Sequence, residues 1–336
     1  MIIVMSPDSG MAEIEAVVQR LHEAGCEAHV STGERRTVIG AIGDRGAITS
    51  IPWEAISGVE KAVPVLSEFR FVSREFQHED SIVDVGGVPV GGNTVTLMAG
   101  PCAVESRDQL FRAAEAVLKG GATVLRGDAF KPRTSPYSFQ GLGEEGLELL
   151  AEAREQFGLP FVAEALDPRD VELISGYADL IRVGTRNMAN FTLLTELGRQ
   201  PKPVMLKRGF TATIEEWLNA AEYIYKEGNH NIIMAERGIR TFETASRNTL
   251  DVTAVPTLQR LSHLPVLIDP SHSGGRRDLV LPLSLAGVAA GAQALLVDVH
   301  PAPDEAKVDG AQAIVPAEFE VLADKVRAVA SALGRE

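Results

Sequence analysis

The sequence predicts an α/β protein, a (β/α)8 barrel preceded by a small ferredoxin-like α+β domain. Three observations carry this. From Thr94 onward, short apolar segments alternate with amphipathic helical segments over about 240 residues, the size of such a barrel. Ahead of them, residues 1–66 read in the order βαββαβ, the split-βαβ pattern. Between the two, the polar stretch SREFQHEDSIVDVGG reads as a linker ending in a short hairpin around Gly86–Gly92. The expected division is therefore 1–66, 67–93 and 94–336.

In the first unit, Ile2–Met5 is a short apolar strand. Gly10–Ala24 places Met11, Ile14, Val17, Val18 and Leu21 at helical spacing, with Gly25 as its C′ residue. Glu27–Ser31 and Thr37–Ile42 read as strands joined by a hairpin at STGERR. Pro52–Ser57 reads as a short helix and Val59–Leu66 as the last strand. In the barrel, eight strands are expected at Thr94–Ala99, Thr123–Arg126, Phe161–Ala165, Leu180–Val183, Val204–Lys207, Ile232–Ala235, Val266–Ile268 and Ala294–Val297. Helices fall between them, among them Arg107–Leu118, Glu144–Gln156, Ile214–Glu227 and Leu283–Ala290. No Gly-x-Gly-x-x-Gly follows a first strand, which argues against an open dinucleotide-binding sheet.

Composition narrows the function. The 336 residues are 45% hydrophobic and 23% charged, which is ample for a large core. The net charge of −14 disfavours general binding to nucleic acid or to an anionic membrane, so an anionic ligand needs a local cationic cluster. Two cysteines, Cys26 and Cys102, are too few for a disulfide framework and suit a reducing cytoplasm. The N-terminus turns acidic after five residues and does not read as a secretory signal. No apolar run is long enough to span a membrane.

Chemistry in a barrel gathers at the C-terminal ends of its strands. Each of the eight strands delivers polar or ionisable residues there. One subset is cationic: Arg126, Lys131, Arg133, Arg186, Lys207 and Arg237, with Arg208 beside Lys207. Arg forks grip carboxylate and phosphate oxygens in pairs, and Lys adds a compact charge. So many cations in one mouth point to multiply anionic, phosphorylated or carboxylated substrates; salt bridges to neighbouring acids are the plainer alternative for some of them. A second subset is Cys102, His272, Asp298 and Asp309, a donor set that can ligate a divalent transition metal. Composition alone leaves this open, because each member also has an ordinary role in a core, loop or turn. Glu164, Glu236, Asp269 and His300 complete the rim, and SHSGG after the seventh strand reads as a backbone nest for phosphate.

At these motifs the chain resembles a known family. GPCAVES, LRGDAFKPRTSPYSFQG, EAL, GTRNM, LKRG, ERGIRTFE, DPSHSGGRRD and DVHP with DG beyond it are similar to 3-deoxy-D-arabino-heptulosonate-7-phosphate (DAHP) synthase, in the branch with an N-terminal ferredoxin-like regulatory domain. The resemblance covers essentially the whole chain. It implies condensation of phosphoenolpyruvate with erythrose 4-phosphate and water, releasing phosphate, as the first step toward the aromatic amino acids. It makes Cys102, His272, Asp298 and Asp309 the ligands of one divalent ion, Mn²⁺, Fe²⁺, Co²⁺ or Zn²⁺. It assigns Arg126, Lys131, Arg186, Lys207 and Arg237 to phosphoenolpyruvate with Glu164 beside it, and Arg133, Thr134 and Ser135 to erythrose 4-phosphate. One position departs: the family usually carries Glu where Asp298 stands. Asp is one methylene shorter, so its oxygens are expected to fall short by roughly 1.5 Å and to hold the metal more weakly.

For the small domain the resemblance implies feedback control by tyrosine or phenylalanine, and a homotetramer. His29 and Ser31, two apart on one strand, share a face and could contact such an effector; an ordinary polar strand face is the alternative. Three rival readings remain. The first is the sister enzyme that uses arabinose 5-phosphate, opposed by the KPRTS run, which stands in place of a KANRS-like run, and by the N-terminal domain. The second is a Schiff-base aldolase using Lys207, which would leave the Cys/His/Asp/Asp set unexplained. The third is a catalytically impaired amino-acid sensor.

Overall fold

The computed structural model describes residues 1–33, 36–63, 69–133 and 135–336. It divides into two compact units, Met1–Glu79 and Asp80–Glu336.

The first unit contains β1 (Ile2–Met5), α1 (Met11–Glu23), β2 (Glu27–Thr32), β3 (Thr37–Ile42), α2 (Arg45–Thr49) and β4 (Val59–Val63). The strands form an antiparallel sheet in the order β2-β3-β1-β4, which is the ferredoxin-like arrangement. Helix α1 buries Val17 and Leu21 against Ile3, Met5, Ile39 and Trp53. Gly25, with φ of 73°, follows the helix as expected. The second helix lies earlier than the sequence suggested. Asp44 accepts a hydrogen bond from the Ala47 amide and caps a helix at Arg45–Thr49, whereas Trp53–Ala55 makes only a 3-10 turn. The expected ends of the hairpin turn and of the last strand fall partly outside the described residues. Residues 69–79, read as part of a linker, belong to this unit. Phe71 and Phe76 are buried, and Phe71 occupies the space that a side chain at Gly40 would need.

The second unit opens with a hairpin, β5 (Val83–Val85) and β6 (Val88–Val90). Eight parallel strands then close a barrel: β7 (Thr96–Gly100), β8 (Val124–Arg126), β9 (Phe161–Ala165), β10 (Leu180–Val183), β11 (Val204–Lys207), β12 (Ile232–Glu236), β13 (Val266–Ile268) and β14 (Ala294–Asp298). The intervening helices are α3 (Arg107–Lys119), α4 (Glu144–Phe157), α5 (Val171–Tyr177), α6 (Phe191–Gly198), α7 (Ile214–Lys226), α8 (Ala254–Leu261), α9 (Pro270–Gly274), α10 (Arg277–Ala289) and the C-terminal α11 (Pro316–Ala332). Helix α10 starts before Pro282 and runs through it, so the sequence reading from Leu283 began too late.

Every strand contributes an apolar side chain to one interior layer, including Met98, Val124, Val162, Leu180 and Met205. Val83, Val85 and Val90 of the hairpin pack onto it. Burying each of these side chains contributes roughly 1.5–3 kcal/mol, which fixes the barrel beneath its polar rim. Closure pairs β14 with β7 so that Asp298 stands opposite Gly100, two residues from Cys102. Gly100 is required there: its φ is 152°, and a Cβ would lie 2.2 Å from the Arg126 carbonyl oxygen.

Candidate active site

The four expected metal donors converge at the C-terminal mouth of the barrel. Cys102 Sγ lies 3.3 Å from Asp309 Oδ2 and 3.8 Å from His272 Nε2. His272 Nε2 lies 3.7 Å from Asp298 Oδ2 and 3.6 Å from Asp309 Oδ2. Donors about 2.0–2.3 Å from a common centre sit roughly 3.4–3.8 Å apart in tetrahedral geometry; Cys102, His272 and Asp298 form one group that could hold a divalent ion, and Asp309 stands beside Cys102 and His272. Asp298 reaches the group despite its shorter side chain. Its other oxygen, Oδ1, is paired with Arg126.

Local structure fixes these donors. Asp269 caps α9 by accepting from the His272 amide, and its carboxylate also holds His272 Nδ1 at 2.9 Å, leaving Nε2 to face the group. Burial disfavours the charged imidazole, but Asp269 outweighs this and raises its pKa. Asp309 is the one non-glycine with positive φ among the described residues, at 54°, a conformation that Asp tolerates better than most residues. Burial opposes ionisation of Cys102, but the charges of Lys131 and Arg126 prevail and bring its thiol down to about 7, toward the thiolate a metal needs.

Around the donors runs a buried ionic network that the sequence reading missed. Asp128 Oδ2 accepts from Arg126 at 3.0 Å, from Lys131 at 2.8 Å and from Arg182 at 2.5 Å. Its carboxylate is held well below the usual range: burial acts against ionisation, and the charges of Arg182, Lys131 and Arg126 overcome it. Arg182 also binds Glu164 Oε2 at 2.7 Å, while its Nε and Nη1 have no partner among the described residues. Lys131 Nζ reaches Cys102 Sγ and the Cys102 carbonyl, each at 3.1 Å.

Beside the four donors opens a cavity of about 300 Å³. Seven cations line it: Lys131, Arg133, Arg182, Arg186, Lys207, Arg237 and Arg247. Ser135, Glu164, His272 and Asp309 complete the expected residues on its wall. Cys102, Arg126 and Asp298 are buried and are not part of the lining; Arg126 is 0% exposed. Thr134 lies outside the described residues. Lys207 is paired with Asp269, yet burial and the nearby arginines push its ammonium down to about 8. Arg237 stacks over Phe210, and burial brings its guanidinium down to about 10.

Some rim residues turn out to be braces. Arg208 points away from the cavity to Glu236 and Asp251, at 2.9 and 2.8 Å. His300 lies 3.8 Å from Glu105. SHSGG forms no open nest: Pro270–Gly274 is a buried helical turn whose His272, Ser273 and Gly275 amides are taken up by Asp269 and Ser271. Asp128, Arg182, Arg247 and Phe210 were absent from the expected set. The signal for Arg182 was a charge in the middle of an otherwise apolar strand.

In the N-terminal unit, His29 and Ser31 both lie on β2. His29 packs against Phe71, with ring centroids 4.6 Å apart. Ser31 lines a separate cavity of about 500 Å³ with Thr32, Arg36, Phe76 and His78. His29 is not on its wall.

No helix among the described residues is long and apolar enough to cross a membrane. Comparison with known proteins gives a consistent picture. The model of the DAHP synthetase I family matches residues 76–334, and that of the DAHP synthase ferredoxin-like domain matches residues 1–67. A phospho-2-dehydro-3-deoxyheptonate aldolase of Thermotoga maritima is 50% identical over 99% of both chains. A crystal structure of the Thermotoga maritima enzyme, also described as DAHP synthase, superposes with a TM-score of 0.80 at 49% identity, covering 100% of this chain and 98% of the other. A 2-dehydro-3-deoxyphosphooctonate aldolase of Geobacter sulfurreducens is 30% identical over 74% of this chain and 97% of its own. The chain is therefore an enzyme of the DAHP synthetase I family, carrying the family's ferredoxin-like domain ahead of its barrel.

Proposed function

We propose that this enzyme condenses phosphoenolpyruvate with D-erythrose 4-phosphate and water, giving DAHP and inorganic phosphate at the entry to the shikimate pathway. The observation that carries this is a seven-cation cavity adjoining a Cys102/His272/Asp298 donor group with Asp309 beside it. Two phosphorylated substrates, one of them also a carboxylate, match that charge. Full-length similarity to the Thermotoga maritima enzyme favours this reading over the arabinose 5-phosphate reaction, whose named relative matches 74% of the chain.

Lys131, Arg186, Lys207 and Arg237 bind the phosphate and carboxylate of phosphoenolpyruvate, and Arg126 supports them from below through Asp128. Arg133, Ser135 and Thr134 take the phosphate of erythrose 4-phosphate. Held this way, C3 of the enol attacks the aldehyde carbon, and a C–C bond forms. A divalent ion held by Cys102, His272, Asp298 and Asp309 would supply Lewis acidity at the aldehyde oxygen. Glu164 and Lys131 orient the water that adds at C2, and the C2–O bond to phosphate then breaks. The cations offset the charge gathering on the departing phosphate, and fixed positioning removes much of the entropic cost.

Mn²⁺, Fe²⁺, Co²⁺ or Zn²⁺ suits the donor set. The ferredoxin-like domain supports inhibition by tyrosine or phenylalanine, with His29 and Ser31 as candidate contacts, in a homotetramer. Two buried, unpaired cysteines support a reducing, cytoplasmic setting. Mass spectrometry of the product tests the reaction directly: a seven-carbon phosphorylated acid is expected from erythrose 4-phosphate. A preference for arabinose 5-phosphate with an eight-carbon product would replace this reading by the sister reaction.

A further inference from the structure

A carboxamide and a guanidinium tie together the two carboxylates of the donor set. Gln312 is buried, and its Nε2 donates to Asp298 Oδ2 at 3.0 Å. Its Oε1 accepts from Arg247 Nη1 at 3.1 Å, and the same Nη1 donates to Asp309 Oδ1 at 3.3 Å. A continuous chain of hydrogen bonds thus runs from Asp298 through Gln312 and Arg247 to Asp309. Its polarity is fixed, because carboxylates only accept and guanidinium only donates. Asp309 is thereby turned so that Oδ2 faces Cys102 and His272. Asp298 is held on both oxygens, by Arg126 on Oδ1 and Gln312 on Oδ2. The loop carrying Asp309 and Gln312 is stitched to the end of β14 by the Ile314 amide, which donates to the Asp298 carbonyl at 3.0 Å.

We propose that Gln312 and Arg247 are positioning residues for the metal site. They set the orientation of the Asp298 and Asp309 carboxylates, and Arg247, which also lines the anion cavity, joins that site to the substrate pocket. This rests on the reading that Cys102, His272, Asp298 and Asp309 hold a divalent ion. Two carboxylates facing one small volume repel each other, and the Arg247 charge offsets this while the amide fixes their spacing. Partners of metal ligands typically change metal affinity about 10–100-fold when removed.

The test is titration of the full chain, stripped of metal, with Mn²⁺ by calorimetry and with Co²⁺ by its absorption spectrum. The variants are Gln312→Met, Gln312→Glu, Arg247→Ala and Arg247→Lys. Gln312→Met and Arg247→Ala are expected to weaken Mn²⁺ binding about 10–100-fold and to alter the Co²⁺ spectrum. Gln312→Glu, which keeps the acceptor for Arg247 but loses the donor to Asp298, behaves the same way. Arg247→Lys, which can still donate, recovers part of the affinity. A purely structural role would lower the Tm and leave the affinity of the folded protein intact. Arg247 is exposed, so its variants serve if the buried Gln312 variants fail to fold. Wild-type binding matched within about twofold by the variants, with an unchanged Co²⁺ spectrum, overturns the positioning role alone. A wild type that binds neither ion overturns the metal reading and this inference with it.

Discussion

Arg126 and Asp298 form an ion pair with both side chains wholly buried, joining the end of β8 to the end of β14. One carboxylate oxygen of Asp298 thus belongs to the cationic network and the other to the metal-type donor set. An Asp at this position serves two partners at close range, and each limits how far it can move toward the other.

This sharing makes Asp298→Glu informative. Asp298 Oδ2 already lies 3.7 Å from His272 Nε2, within the spacing an ion needs, so the added methylene is expected to leave affinity for Mn²⁺ equal or lower. Isothermal titration of metal-free protein measures it. Tighter binding would show that the shorter Asp side chain holds the ion less well than Glu.

Asp128 is the common anion for Arg126, Lys131 and Arg182. Asp128→Ala leaves three buried cations sharing fewer counter-charges, and removing one partner of a buried ion pair typically costs about 3–5 kcal/mol. Denaturant unfolding should show a loss of that order. A loss below about 1 kcal/mol would mean that Glu164 and Asp298 suffice to hold the network.

Arg237 is buried, lines the cavity and stacks on Phe210, and its buried Nε has no partner among the described residues. A hydrogen bond to a charged group contributes about 1.5–3 kcal/mol, so Arg237→Ala should lower kcat/KM for phosphoenolpyruvate by roughly 10–100-fold. Steady-state kinetics with that substrate varied is the check. An unchanged value would remove Arg237 from the binding set.

Lys207 gives the site a pH dependence. Burial and neighbouring arginines bring its ammonium down to about 8, so it is charged below that pH and neutral above it. Affinity for an anionic substrate therefore falls as pH rises through about 8. The profile of kcat/KM, which reports the free enzyme, should show that alkaline limb. Lys207→Arg stays charged and should move the limb upward; a limb that stays in place would belong to another group.

The barrel was readable because its strands are short, apolar and bounded by loops. Phe161–Ala165, Leu180–Val183 and Val204–Lys207 have the boundaries the sequence suggested. The rim was readable as a set of residue types at strand ends, and closure of the barrel is what brings Cys102, His272, Asp298 and Asp309 together. The pairings were not readable. Arg126 lies buried on Asp128, two residues away, and on Asp298, 172 residues away, and strand-end spacing alone does not show those partners. Arg208 looked equivalent to its neighbour Lys207, yet successive residues leaving a strand point to opposite sides, and Arg208 went to Glu236 and Asp251. The early helix at Arg45–Thr49 was hidden because its signal was a single Asp cap without an apolar period.

A metal-type donor set and a cationic cavity adjoin at the mouth of the barrel, and together they are expected to act on phosphoenolpyruvate and erythrose 4-phosphate. The most direct measurement is phosphoenolpyruvate consumption by the purified chain with erythrose 4-phosphate, first as isolated, then with EDTA, then with Mn²⁺ restored. Turnover that EDTA abolishes and Mn²⁺ recovers is the predicted result. Turnover indifferent to EDTA, or none under any divalent metal, would contradict it.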